Sequence, residues 1–317
     1  MVSFVRESEP RPPVSRHHPD GGAPRRSAGR VDRDARLPTD TDLPALTDAP
    51  RRGLLPRILP PGLYAGRASA LIERSLLVSS RLWLVFASGV VEPVLYLFAF
   101  QIGFGKLVGD VAGPGGQTMS YVAFVAPALL AASAMNGAVF DSTFNVFFKF
   151  RYAKLYDAML ATPIGPLDIA IGEIAFAVLR GGAYATAFLA VMGAMGLIAS
   201  PWALLMLPVA LLVALAFASV GMVCATFLRS PTQFDYIQLA IMPMFLFSTT
   251  FYPLSVYPDG LQVVVQCIPL YHGVELMRGL SVGVLDISMI GHVAYLLVMV
   301  AIGMFATSRR LAGLLLR

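Results

Sequence analysis

The chain has 317 residues, 56% of them hydrophobic and only 14% charged, with a mean hydropathy of +0.69. Soluble domains carry about 25% charged residues, so an ordinary water-soluble fold is excluded. The formal net charge of +5 is unevenly spread: 23 of the 43 Asp, Glu, Lys and Arg residues precede position 82, and the rest of the sequence is nearly bare apolar chain of the kind that lipid covers.

Residues 1–61 hold 11 of the 23 prolines, the pairs Arg25-Arg26 and Arg51-Arg52, and no apolar periodicity. That composition predicts a disordered tail, either simply solvated or drawn to anionic lipid head groups. The first long apolar run begins near Leu82, too late for a secretory signal, so the N-terminus is expected in the cytoplasm. Across residues 62–81 Arg67, Arg74 and Arg81 recur every seven positions, while Leu71, Ile72, Leu76, Leu77 and Val78 occupy other faces. This spacing predicts an amphipathic helix lying at the membrane surface.

A hydrocarbon core of about 30 Å takes about 20 apolar residues of helix. On that scale residues 82–307 form an all-α integral membrane domain of six transmembrane helices, at 82–104, 121–144, 169–197, 202–228, 235–255 and 286–307, followed by a short cytoplasmic tail, 308–317. Lys and Arg near the span ends fix the orientation. Arg67, Arg74, Arg81, Lys149, Arg151, Lys154, Arg229, Arg309, Arg310 and Arg317 fall on one side, and only Lys106 and Arg278 on the other. The richer side is the cytoplasm and holds both termini.

Two connections exceed a turn. The inner one, Asn145 to Asp168, begins with basic residues, predicts a short helix from Tyr152 to Ala161, and stops at Pro163, Gly165 and Pro166. The outer one, Leu254 to Leu285, contains apolar stretches at 261–268 and 270–280 separated by Pro269. Each is too short to cross, so both are expected as re-entrant or interfacial helices.

Chemistry of bond making is hard to place on this chain. No glycine-rich loop with Lys and Ser/Thr cradles nucleotide phosphates, so any ATP and Mg2+ belong to another polypeptide and no cofactor is expected here. His17 and His18 lie in the tail, and His272 and His292 stand far apart, so no metal site is expected; Cys224 and Cys267 read as isolated small residues. Gly279-Leu280-Ser281-Val282-Gly283, followed by Asp286 and His292, matches a hydrolase nucleophile elbow literally, but that motif works at a strand-to-helix turn on a soluble sheet. A membrane hydrolase using Ser281 is therefore the remote alternative. A secondary transporter needing no ATPase is the nearer one, although residues 82–197 and 202–307 show no convincing internal repeat.

Ionisable residues inside spans are costly, at least about 2.5 to 3.5 kcal/mol near the bilayer centre. Glu92, Asp141, Glu173 and Arg180 stand out. Glu173 and Arg180, seven apart, share a helix face; Glu92 precedes the amide-less Pro93. The four either line a substrate path or form a structural ion pair such as Glu92 or Asp141 with Arg180. Gly181/Ala185 and Gly221/Ala225 permit close helix approach.

Several stretches together carry a family resemblance: Leu155 through Pro163 in the inner loop, Gly172-Glu173 followed by Arg180, and Phe251-Tyr252-Pro253-Leu254 through Pro258, Pro269-Leu270 and Glu275 to Gly279 on the outside. Over residues 63 to 310 the chain resembles a permease subunit of the type-2 ABC exporters, in the branch with nodulation lipooligosaccharide and daunorubicin-type drug exporters. The resemblance implies a homodimer or related heterodimer of six-helix subunits in the plasma membrane, among its lipids, with two cytoplasmic ATP-binding subunits and no nucleic acid. It assigns Arg151, Tyr152, Lys154, Leu155, Tyr156, Asp157, Leu160, Thr162 and Pro163 to ATPase coupling, and Pro253, Pro258, Pro269, Glu275 and Arg278 to an outer gate. The exported cargo is expected to be lipid-like or drug-like, with no catalytic residue in this chain.

Overall fold

The structure, a computed structural model, describes residues 71–75, 83–105, 107–162 and 164–315. The tail at 1–61, most of the 62–81 helix, Lys106, Pro163, Leu316 and Arg317 lie outside the described residues. Within 71–75 the chain is helical and Leu71 is buried.

The described chain is almost wholly helical. Helix α1 (Trp83–Ala99) passes through Pro93 and ends in a π-helical turn, Phe100–Phe104. A small antiparallel hairpin comes next, β1 (Val111–Ala112) with β2 (Thr118–Met119), pairing Val111 with Met119. Nothing in the apolar pattern announced it, because the turn chemistry lies in Gly113 to Gly116 rather than in the strands.

Helix α2 (Tyr121–Phe140) starts where the Ser120 hydroxyl accepts from the Ala123 amide, as a helix N-cap requires. It continues through a π-helical turn, Asp141–Asn145, into α3 (Val146–Arg151). The whole unbroken run, Tyr121–Arg151, is long and apolar enough to cross a membrane. Of the 20 residues in α2, 16 are buried, which makes it the central helix. Its Ala-rich sequence suits that position, since small side chains let neighbours approach on every side.

After the short α4 (Leu155–Leu160) come α5 (Pro166–Ala194), α6 (Met206–Phe227) with a 3-10 turn before it, and α7 (Phe234–Phe247). Two outer helices, α8 (Asp259–Gln266) and α9 (Pro269–Val282), precede α10 (Ser288–Leu315). Helices α2 with α3, α5, α6 and α10 are the four that meet the length and apolarity of a span among the described residues. Contact between α2, α5 and α6 depends on missing side chains. A Cβ on Gly181 would sit 2.9 Å from the Ala214 Cβ and 3.0 Å from the Ala134 carbonyl oxygen.

Several expected boundaries move. The second span runs seven residues further inward than 121–144, because its inner end is aromatic and basic rather than broken. Helix α7 stops at Phe247, not 255; at 14 residues it is about 21 Å long, and Ser248, Thr249 and Thr250 turn the chain in a fully buried corner. The last helix reaches Leu315, absorbing most of the segment expected as a tail from 308. Arg309 and Arg310 make this possible by laying their guanidinium groups over the Phe305 and Phe227 rings, at 4.7 and 3.9 Å, which keeps the charge satisfied at the apolar boundary.

Candidate functional site

Three constellations run from the inner loop to the outer face. The inner one begins on α2 and α3, where Phe140, Phe144, Phe148 and Tyr152 succeed one another four residues apart and their rings meet at 5.1, 4.6 and 5.2 Å. Such spacing places side chains one above another on a helix. Phe234 of α7 packs on this stripe at 5.1 Å from both Phe144 and Phe147. The stripe ends at Tyr152, 62% exposed, beside exposed Arg151 and Lys154.

The chain then reverses through Lys154, whose φ is +44°, and α4 turns the other way. Tyr156 is completely buried, in a cluster with Leu71, Met159, Ile169 and Ile174. Its ring is thus buried within this chain; Leu155 is half-buried and Thr162 exposed, the Thr162 hydroxyl donating to the Met159 carbonyl. Asp157 and Leu160 lie on the described backbone of α4. Burial, then the nearby Glu173 carboxylate, push the ionisation of the Tyr156 hydroxyl well above the usual phenol range. It stays a neutral apolar anchor.

The intramembrane charges are sorted by helix packing rather than by sequence spacing. Glu173 and Arg180, both buried on α5, do not pair with each other. Lys149 Nζ lies 2.6 Å from Glu173 Oε2, and Arg180 Nη1 lies 2.7 Å from Asp141 Oδ1. Asp141 also accepts from the Asn145 side chain. Arg180 Nε donates to the Tyr184 hydroxyl at 2.7 Å, and its guanidinium stands 5.4 Å from the Phe140 ring. Of the two ion pairs foreseen for Arg180, the one with Asp141 is formed. Glu92 is exposed and makes no ion pair with a described residue.

Beside these charges lies a cavity of about 610 Å³ between α1, α2, α5 and α7. Glu92 and Arg180 line it, whereas Asp141 and Glu173 do not. Uncharged polar residues that sequence reasoning passed over, Ser133, Asn136 and Gln238, line it too. Their signal was available: isolated polar side chains in otherwise apolar spans mark a bundle interior or a path.

The outer constellation is a knot around Arg278. Its side chain is almost fully buried, with Nη1 2.8 Å from Glu275 Oε1, Nη2 donating to the Thr249 carbonyl at 2.7 Å and Nε to the Phe124 carbonyl at 3.3 Å. The guanidinium also stacks 3.7 Å from the Phe124 ring centroid. Thr249, at φ +58°, returns its hydroxyl to Glu275 at 3.0 Å. Arg278 is thus an internal tie rather than a free surface charge. Pro269 is the first residue of α9, where a missing amide costs least, while Pro258 and Pro253 stand immediately before α8 and the 3-10 turn Leu254–Val256.

Two other expectations change. His272 and His292 are neighbours, with Nδ1 atoms 2.7 Å apart and Tyr295 stacked on His272 at 3.8 Å, because α9 folds back against α10. Among the described residues no group of three His, Cys or carboxylate side chains joins in a metal-holding arrangement. The hydrolase alternative loses its geometry: Ser281 is buried at the end of α9 and donates to the Arg278 carbonyl at 2.8 Å, while His292 is engaged with His272.

Comparison with known proteins agrees in location with these features. The sequence profile of the ABC-2 type transporter family matches residues 67–282, which reach through the end of α9. Nodulation protein J of Rhizobium leguminosarum bv. trifolii is 33% identical over 229 residues, 71% of this chain and 85% of the relative. The protein of the same name from Rhizobium leguminosarum bv. viciae is 31% identical over 229 residues, covering 71% and 86%. That of Sinorhizobium fredii is 34% identical over 188 residues, covering 59% and 70%.

Proposed function

Because the chain belongs to the ABC-2 type transporter family, we propose that it is the membrane subunit of an ATP-driven exporter that carries an amphiphile outward across the plasma membrane. The family makes it a membrane transporter component; the ATPase, the direction and the cargo are the proposal. Two copies, identical or related, stand side by side in the lipid with both termini in the cytoplasm. Helices α1 and α7 complete six crossings, and each copy takes one cytoplasmic ATP-binding subunit on its inner loop. ATP and Mg2+ act in that partner.

The observation that carries this reading is the construction of the inner loop. Arg151, Tyr152 and Lys154 project as an exposed tip, while the buried Tyr156 and the Lys149–Glu173 pair tie the same loop to α5. A force applied to the tip reaches the intramembrane charges through packed groups, without a soft linker. ATP-driven closure of the two partners moves the tips, tilts the helices, and opens the path between subunits; the work is conformational, with no bond chemistry in this chain. The cavity beside Glu92 and Arg180 lies along that path, and the α8–α9 knot closes its outer end.

The test is purification of the chain from its native membrane in mild detergent, with identification and ATPase assay of whatever stays bound. A stoichiometric ATPase is expected. Tyr152→Ala combined with Lys154→Glu should release it by at least about tenfold in affinity, since the aromatic and the charged contact of the exposed tip with the partner are both lost. Recovery of a stable subunit with no ATPase, or an ATPase indifferent to the tip, defeats the docking reading and leaves an ion-coupled carrier.

A further inference from the structure

The charge of the cargo can be read from the cavity walls. The two charged side chains that line it, Glu92 and Arg180, are not equivalent. Arg180 is met inside the protein by the Asp141 carboxylate and the Tyr184 hydroxyl, each at 2.7 Å, and is itself buried. Glu92 is exposed to the cavity and makes no ion pair with a described residue. With Asp141 cancelling Arg180, the described groups around the cavity leave one uncompensated negative charge.

At membrane depth that charge acts through a low effective dielectric, so it attracts a cation and repels an anion far more strongly than a surface carboxylate does. The rest of the lining suits a cation as well. Tyr96, Phe140 and Phe245 border the same space, and aromatic rings hold ammonium-type groups through their negative faces. Ser133 is buried with its hydroxyl unpartnered, leaving an oxygen in the cavity for a hydrogen-bond donor. Leu129, Ile241 and Met242 supply apolar wall.

We propose that this cavity selects amphiphiles bearing a positive charge, of the amine, quaternary ammonium or phosphonium type, and rejects anionic amphiphiles, with Glu92 as the selecting residue. The proposal rests on the exporter reading for the cavity being a transport site, but its test needs no ATPase. Tetraphenylphosphonium and tetraphenylborate have nearly the same size and shape and opposite charge. Binding of each radiolabelled ion to the purified full chain in neutral lipid nanodiscs, corrected against empty nanodiscs, isolates the charge term.

The expected result is saturable tetraphenylphosphonium binding at least about tenfold tighter than tetraphenylborate. Glu92→Gln should erase the preference and Glu92→Asp retain it. Gln238→Lys, at an exposed cavity position on α7, should weaken the cation and strengthen the anion, so the idea remains testable even if Glu92→Gln fails to fold. Equal binding of the two ions, tighter binding of tetraphenylborate, or a cation preference that survives both Glu92→Gln and Gln238→Lys overturns it. Loss of the cation preference with an ATPase still bound leaves the exporter reading intact; cation binding with no ATPase does the reverse.

Discussion

Arg180 and Asp141 form an ion pair almost without water: their side chains are 8% and 2% exposed at a separation of 2.7 Å. Burying such a pair costs about as much as the attraction returns, whereas removing one partner strands a charge and costs about 3–5 kcal/mol. Arg180→Ala should therefore lower the thermal unfolding midpoint in detergent substantially. The double substitution Asp141→Asn with Arg180→Gln should recover most of the loss, because neither side chain then carries charge. If Arg180→Ala costs under about 1 kcal/mol, as an exposed pair would, the pair does not hold the bundle together. Glu92 has the opposite status, being charged, exposed and unneeded for packing, so its substitution should spare stability.

Among elements, the outer corner shows how a turn unfavourable in itself is kept. Thr249 has a β-branched side chain at φ +58°, a conformation costing about 1–3 kcal/mol. Arg278 pins the Thr249 carbonyl, and Glu275 joins that Arg to the Thr hydroxyl. One side chain thus binds the end of α7, the start of α2 and helix α9. Arg278→Gln should raise amide hydrogen exchange across residues 248–282 by at least about tenfold and leave residues 146–162 unchanged. Unaltered exchange in the outer segment would show that apolar packing of α8 and α9 suffices without the knot. The inner loop is built differently, with apolar Tyr156 in the role that Arg278 plays outside.

At the level of the whole molecule, orientation is open to direct measurement because the chain has only two cysteines. Cys267, between α8 and α9, is exposed, and Cys224 near the inner end of α6 is only partly so. A membrane-impermeant maleimide applied to intact cells should label Cys267 and give no signal in Cys267→Ser. Labelling that persists in Cys267→Ser, or that needs opened membranes, reverses the proposed topology.

What could be read from the sequence divides along the same physical line. Four long apolar helices were legible because bilayer thickness imposes a minimum apolar length on a span, and the paired short helices around Pro269 were legible because they fall below it. The partners of the charges were not. Lys149 with Glu173 and Asp141 with Arg180 are 24 and 39 positions apart, and which helix faces which is set by small residues such as Gly181 closing one contact and not another. Tyr156 carried no mark distinguishing inward from outward on a six-residue helix, and the meeting of His272 with His292 required α9 to fold back on α10. Of the residues expected to couple to an ATPase, the fold leaves Arg151, Tyr152 and Lys154 exposed and buries Tyr156.

The continuity of α2 and α3 also has a mechanical meaning. Tyr121–Arg151 is one helical run of 31 residues, about 46 Å from end to end, with most of α2 buried and its last turn reaching the exposed Arg151 and Tyr152. Such a rod is a lever arm. Pivoting it by about 5° at the outer end sweeps the Tyr152 tip through about 4 Å, by the rise per residue alone. The π-helical turn at Asp141–Asn145 sits about two thirds of the way along, where the Arg180 pair attaches. Under the proposed ATP-driven stroke, that turn separates the tip from the part of the rod beside the cavity, and its place in the sequence sets the ratio of the two displacements.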